Sequence, residues 1–178
     1  MGRVFSSLDD EEFNRLFLDF RHTSYRLETL QRYDVPYERD EYHQFLAGLA
    51  QDTSEIMEWV DGTISRAVRA GKRMQRVHVV EEPLSDYLRW EHACTEVNIT
   101  AGEDIRWLPR TKAADLMLPG ADCFVFDHRV VRWNFQRGDG TNPRHYTFSS
   151  DPRTIRDIVA AFELAWNRAT PHADYKPD

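Results

Sequence analysis

The chain lacks a basic excess, and this is its first constraint. It carries 23 Lys and Arg against 30 Asp and Glu, a formal net charge of −7. Residues 1–72 hold 9 basic and 14 acidic side chains, and the remainder is also net acidic. Neither part can neutralise a run of phosphates, so direct nucleic-acid binding is not expected. Lysine is scarce: only Lys72, Lys112 and Lys176 occur, and the other basic residues are arginine. Arginine suits bidentate, fixed ion-pair networks, though a GC-rich coding sequence would produce the same bias. The two cysteines, Cys94 and Cys123, have no neighbour at metal-site spacing and read as buried, reduced thiols of a cytoplasmic protein. No apolar run approaches the ~18 residues a membrane span needs. Glycine-rich nucleotide loops and a GxSxG nucleophile turn are missing. The seven histidines form neither HxH nor HExxH, so no metal site and no cofactor motif is legible.

What is present is a packed globule. Hydrophobic residues make up 41% of the chain, with five Trp, seven Tyr and ten Phe. RVHVV (Arg76–Val80) reads as a short buried strand. A helix is predicted after Glu82-Pro83, then strands in DIRWLP, DCFVFD and RVVRWNF, and a further strand in RHYTFSSDP. The closing helix is the most sharply marked element. Asp151 or Ser150 caps it, Pro152 takes its first position, and Ile155, Ile158, Val159, Phe162, Ala165 and Trp166 fall on one face. Towards the N-terminus, Ser7 and Asp10 can cap a helix with a Phe13, Leu16, Phe17, Phe20 stripe, and HTSYRLETL is read as a strand. YERDEYHQFLAG should form a helix ending at Gly48. SEIMEWVDGTISRAVRAG should form another, broken near Asp61-Gly62 and stopped by Gly71.

The helix after Pro83 carries the main puzzle. At about 100° per residue, Leu84, Tyr87, Leu88, Trp90 and Cys94 share an arc, and Glu91 and Asn98 lie inside it. A carboxylate facing a sheet is costly unless paired. Arg106 and Arg132 are the expected partners. One reading is a structural Arg–Glu pair that seats the helix. The other is a polar, ligand-binding pocket formed by Glu91, Arg106 and Arg132, with Glu82, Tyr87 and Arg89 at its rim. Asp127-His128 opens a hairpin; adjacent strand residues point to opposite faces, so a turn explains the pair better than acid–base work.

The order strand, helix, four strands, helix over residues 73–170 resembles one half of the phospholipase D-like fold, including its ending of a strand, Asp-Pro and an amphipathic helix. That family's signature is His, any residue, Lys, four residues, Asp. The matching positions here are Gly120, Asp122 and Asp127. Glycine cannot attack phosphorus and an aspartate repels phosphate, so the resemblance implies a degenerate core, a pseudoenzyme. A second resemblance rests on FRHTSYRLETLQRYDVP, EEPLSDYLRWE, AGEDIRWLPR and CFVFDHRVVRWNF. These segments are similar to an actinobacterial family encoded beside helix-turn-helix regulators and small partner proteins. That implies a cytoplasmic accessory to transcription regulation.

The combined expectation is an α/β protein. Residues 1–72 form an α-rich layer on the sheet, 73–170 the core, and 171–178 a loose tail. It acts without catalysis, by binding a helix-turn-helix regulator, a small partner protein or a small molecule. It has no membrane attachment, and a sheet face is open to a homodimer. The rival is a phosphodiesterase or transferase built on Asp127, His128 and Glu91.

Overall fold

The computed structural model describes residues 3–5, 11–49, 54–143 and 145–177. These form one mixed eight-stranded sheet in the order β1-β7-β6-β5-β2-β3-β4-β8. The strands are β1 (Arg3–Phe5), β2 (Thr23–Glu28), β3 (Arg73–Val80), β4 (Asp104–Pro109), β5 (Asp122–Phe126), β6 (Val130–Phe135), β7 (His145–Ser149) and β8 (Thr170–Pro171). β2, β3 and β4 run parallel, and every other pairing is antiparallel. The helices are α1 (Glu11–Asp19), α2 (Arg39–Leu46), α3 (Ser54–Val60), α4 (Arg66–Arg69), α5 (Asp86–Thr100) and α6 (Pro152–Arg168).

The predicted elements form where local chemistry marks them. Ser85 caps α5 by accepting from the Leu88 amide at 3.2 Å. Asp151 caps α6 through the Thr154 amide at 2.8 Å, with Pro152 at the first helical position. The expected break at Asp61-Gly62 is a π-helical turn, Asp61–Ser65, between α3 and α4. Gly71 ends that helical stretch at φ +77°. The proposed cap at Ser7 and Asp10 lies outside the described residues.

Two expectations are corrected. The N-terminal 72 residues are not only a helical layer. Their strand β2 sits between β3 and β5 at the centre of the sheet, because Tyr25 and Leu27 are apolar enough to be covered on one face. The tail is not loose. β8 pairs with β4, and Tyr175 is buried, with its ring stacked on Trp107 and its hydroxyl donating to Glu82 at 2.9 Å.

Alternation along the strands gives the sheet two unlike faces. One face, lined by Tyr25, Leu27, Val77, Val79, Cys123, Val125 and Val131, is covered by α6 through Ile155, Phe162 and Ala165. The other face is covered by the remaining helices in two apolar patches. Leu16, Phe17, Phe20, Val60, Ile64 and Ala67 cover Met74, Phe124 and Phe126. Leu84, Tyr87, Leu88 and Trp90 of α5, with Tyr42 and Phe45 of α2, cover Val80 and Trp107. Between these patches the strands carry charge.

Candidate functional site

The charged strip arises from the parallel register of β2 and β3. Arg26 stands beside Arg76, and Glu28 beside His78. All four side chains leave the sheet on the α5 side, since Tyr25, Leu27, Val77 and Val79 occupy the other. Glu28, Arg76 and His78 are buried. Unpaired ions there would be prohibitively costly, and the fold supplies partners for most of them.

Arg76 is the best-satisfied member. Its Nε donates to Glu103 Oε1 at 3.0 Å and a terminal nitrogen to Oε2 at 2.6 Å. Asn98 Nδ2 donates to the same carboxylate at 2.8 Å. Burial pulls the Arg76 guanidinium down, but Glu103 and Glu28 more than reverse this, so it stays charged. Glu103 reaches the sheet because the chain turns just after α5 at Gly102, which adopts φ +97°. Asn98 thus lies inside the apolar arc of α5 to serve this pair.

Glu28 is bridged by Arg26 and lies 3.7 Å from Arg76. Burial acts to raise its carboxyl, yet Arg26, Arg76 and His78 hold it below the ordinary value. His78 points its Nε2 at the Leu30 carbonyl oxygen, 3.0 Å away. A carbonyl can only accept, so Nε2 carries the proton and Nδ1 faces the site. Nδ1 is 3.8 Å from Glu28 Oε2 and 3.7 Å from Glu91 Oε2. The ring is held in place by stacking on Trp107, centroids 5.3 Å apart.

Three further carboxyl groups face this centre, and each is held above its usual range. Burial pushes Glu91 up; His78 opposes the shift and Glu28 adds to it. Burial and then Glu28 raise Asp122, although Tyr33 and Thr29 donate to it at 2.5 and 2.7 Å. Half-buried Glu38 is pushed up to about 8, by burial first and by Glu91 next. The Tyr33 and Tyr87 hydroxyls rise too, through burial and the surrounding carboxylates. Arg26 is committed to Glu28 and Arg76 to Glu103, so the centre carries more acid than the nearby guanidinium groups match. Neither of two surface concavities touches this cluster. One is an open groove of about 450 Å³ near Arg15, Asp127 and Arg129; the other lies near Glu82 and Arg110.

The six residues predicted for a pocket divide. Glu91 and Tyr87 belong to the centre. Arg106 does not pair with Glu91. It lies on the α6 face, 4.0 Å from the Trp166 ring, and donates to the Trp166 carbonyl. The reason is alternation: Ile105 and Trp107 take the α5 side of β4, which turns Arg106 to the other. Arg132 is on the α5 side but lies over the Tyr146 ring at 3.9 Å, farther out along the sheet. Arg89 is exposed and holds Asp86 and the Leu84 carbonyl at the start of α5. Glu82 is exposed and accepts from Tyr175. Sequence reasoning missed Glu28, His78, Asp122 and Tyr33. The signal was there: Arg26 and Glu28, like Arg76 and His78, alternate with residues that must be buried, so both pairs share a covered face.

Asp127 and His128 form the turn between β5 and β6, both with positive φ. The Asp127 carboxylate accepts from the amides of Arg21, His22 and Thr23 at 2.7 to 3.0 Å. Asp122 and Asp127 sit at opposite ends of β5, about 16 Å apart at ~3.3 Å per residue. The acid–base trio of Asp127, His128 and Glu91 is therefore not assembled. Asp122 lies in the buried centre as an acceptor.

The fold is similar to that of Nuc, a phospholipase D family member from Salmonella typhimurium, at a TM-score of 0.57 and 10% identity, covering 96% of this chain and 97% of that one. NucT from Helicobacter pylori gives 0.54 and 9%, covering 96% and 98%. TrmBL2, an archaeal chromatin protein with a novel mode of DNA binding, gives 0.50 and 11%, covering 94% of this chain and 53% of that chain. The likeness thus extends beyond the 73–170 expected and takes in most of the N-terminal residues. No curated protein matches the sequence. Residues 11–177 match the family described as Domain of unknown function (DUF6879), and the chain belongs to that family.

Proposed function

We propose that the chain is a non-catalytic binding protein that keeps a phospholipase D-like sheet and has reversed the charge of its centre. One observation carries the reading: Glu28, Glu91 and Asp122 crowd a buried site where phosphoryl transfer would require cationic groups. Such a site repels a phosphodiester and favours a cation or a hydrogen-bond donor. The cellular role that fits is an accessory to a helix-turn-helix regulator, in contact with the regulator or a small partner protein, with occupancy of the centre setting the contact.

The test has two arms. Purified chain is assayed on bis(p-nitrophenyl) phosphate and on DNA, with Asp122→Asn as comparison. No turnover is expected from either protein; hydrolysis that disappears in the variant would overturn the reading. Co-purification of a helix-turn-helix regulator with the tagged chain from native lysate is expected in the second arm, and consistent failure to recover one would remove the accessory role.

A further inference from the structure

We infer that Glu28, His78 and Glu91 form a binding site for one divalent first-row transition metal ion. The three residues come from β2, β3 and α5, and their donor atoms lie within 4.8 Å of one another. The inference rests on the binding reading above, since it names the occupant of the same centre.

Four observations point to an ion. The side chain of Glu28 is only 2% exposed, yet its Oε2 has no hydrogen-bond partner among the described residues; Glu91 Oε2 has none either. Both oxygens are aimed at the same nitrogen, His78 Nδ1, at 3.8 and 3.7 Å. Those separations are too long for N–H···O bonds. They are close to the ~3.3 Å between two ligands of a tetrahedral ion with bonds of about 2.0–2.1 Å. A contraction of a few tenths of an ångström brings each carboxylate oxygen into range of Nδ1, and the two oxygens, within 4.8 Å of each other, close further around an ion. His78 is already prepared as a ligand. Its Nε2 proton is committed to the Leu30 carbonyl and its ring to Trp107, which leaves the Nδ1 lone pair directed at the centre. Finally, the nearby guanidinium groups meet the need only in part: Arg26 bridges Glu28 Oε1, while Arg76, held by Glu103 on two bonds, stays 3.7 Å from Glu28 Oε2, and no ion pair with either arginine reaches Glu91 among the described residues. Two carboxylates with one imidazole suit zinc, manganese or iron(II) better than calcium, whose sites are built of oxygen alone. Three protein ligands leave a coordination position free. Tyr33, Tyr87 and Glu38 stand around the centre and are placed to shape what occupies it.

Full-length protein is stripped with chelator and titrated with Zn²⁺ by calorimetry and native mass spectrometry; Co²⁺ is added separately for its visible spectrum. The expected result is one equivalent bound, a melting temperature that rises with metal concentration, and cobalt bands of a low-coordinate nitrogen and oxygen site. Glu91→Gln is the principal variant, because Gln preserves shape and hydrogen-bonding capacity, so its apo form should fold like the wild type. Its affinity should fall by more than ~100-fold, since even outer-shell partners are worth about 10–100-fold. His78→Gln should lose binding as well. Equal zinc affinity in wild type and Glu91→Gln would assign the metal elsewhere and sink the inference. So would an apo protein that takes up no Zn²⁺, Mn²⁺ or Co²⁺, with a proton or a water held between the carboxylates instead. Phosphodiester turnover would remove the binding reading itself; absence of metal uptake without turnover removes only the metal.

Discussion

On the α6 face of the sheet, Tyr25, Leu27, Val77, Val79 and Val125 meet Ile155, Phe162 and Ala165 in one continuous apolar layer. On the opposite face the same strands present Arg26, Glu28, Arg76 and His78 between two apolar patches. Both faces are buried, yet they are held by different physics. The α6 face gains from area removed from water and from close packing, terms that are non-directional and tolerant of exchange. The α5 face gains little from its charges, because desolvation offsets most of the Coulomb attraction. A stretch of sheet that spends burial on ionisable groups is better explained by what it binds than by stability. The proposed site lies on the α5 face for this reason.

Single truncations on each face should have the largest effects. Phe162→Ala, which removes a ring stacked on Tyr25 at 4.3 Å, should cost about 3–5 kcal/mol. Glu103→Ala should cost a similar ~3–5 kcal/mol, for a different reason: it leaves the buried Arg76 guanidinium without its carboxylate. The double variant Glu103→Leu with Arg76→Met separates the two mechanisms. It should recover much of the loss, whereas no second change on the α6 face should restore Phe162→Ala unless it refills the volume. Chemical denaturation of the four proteins measures this, and a double variant no better than Glu103→Ala would mean that the pair is a net stabiliser.

The two faces should also differ in their response to pH. Glu38 titrates at about 8 in the folded protein and near 4.5 when free. The native state therefore binds more protons than the unfolded state between these values, so stability should fall as pH rises from 5 to 8. Glu91 and Asp122, also held above their usual range, act in the same direction. Glu38→Gln should flatten the curve in chelator, measured as melting temperature against pH. A slope unchanged by the substitution would show that Glu38 faces solvent.

Asp127 has the opposite sign. Its three amide donors hold the carboxyl below the ordinary value, against the effect of burial. It supports the fold above that ordinary value and loses its contribution as pH falls through the depressed one. Asp127→Ala should cost about 1–3 kcal/mol at neutral pH and less in acid. The smallest expected effect is at the cap of α6. Asp151→Ala removes the acceptor of the Thr154 amide and should cost about 1 kcal/mol, with no change in metal uptake.

Much of the architecture was legible because its determinants are local. The Asp151-Pro152 start of α6, the stop at Gly71 and the alternation in DCFVF each act within a few residues, and each element formed where those signals lay. The polar arc of α5 was also legible, and Glu91 and Asn98 do face the sheet. Their partners were not. Arg106 is near Glu91 in sequence and has the right charge, but its parity along β4 sends it to Trp166. His78 was read as one residue of a buried strand, although a histidine between valines on a covered face calls for a partner.

The chain by itself determined where helices start and stop, which strand residues share a face, and that no histidine is followed two residues later by lysine, because these depend on neighbours in sequence. The tertiary structure alone decided that β2 enters beside β3 in parallel, in the register that sets Glu28 next to His78 and under Glu91. Register between distant strands is chosen by the burial of whole faces, so the meeting of three residues from three elements could be read only once the sheet was assembled.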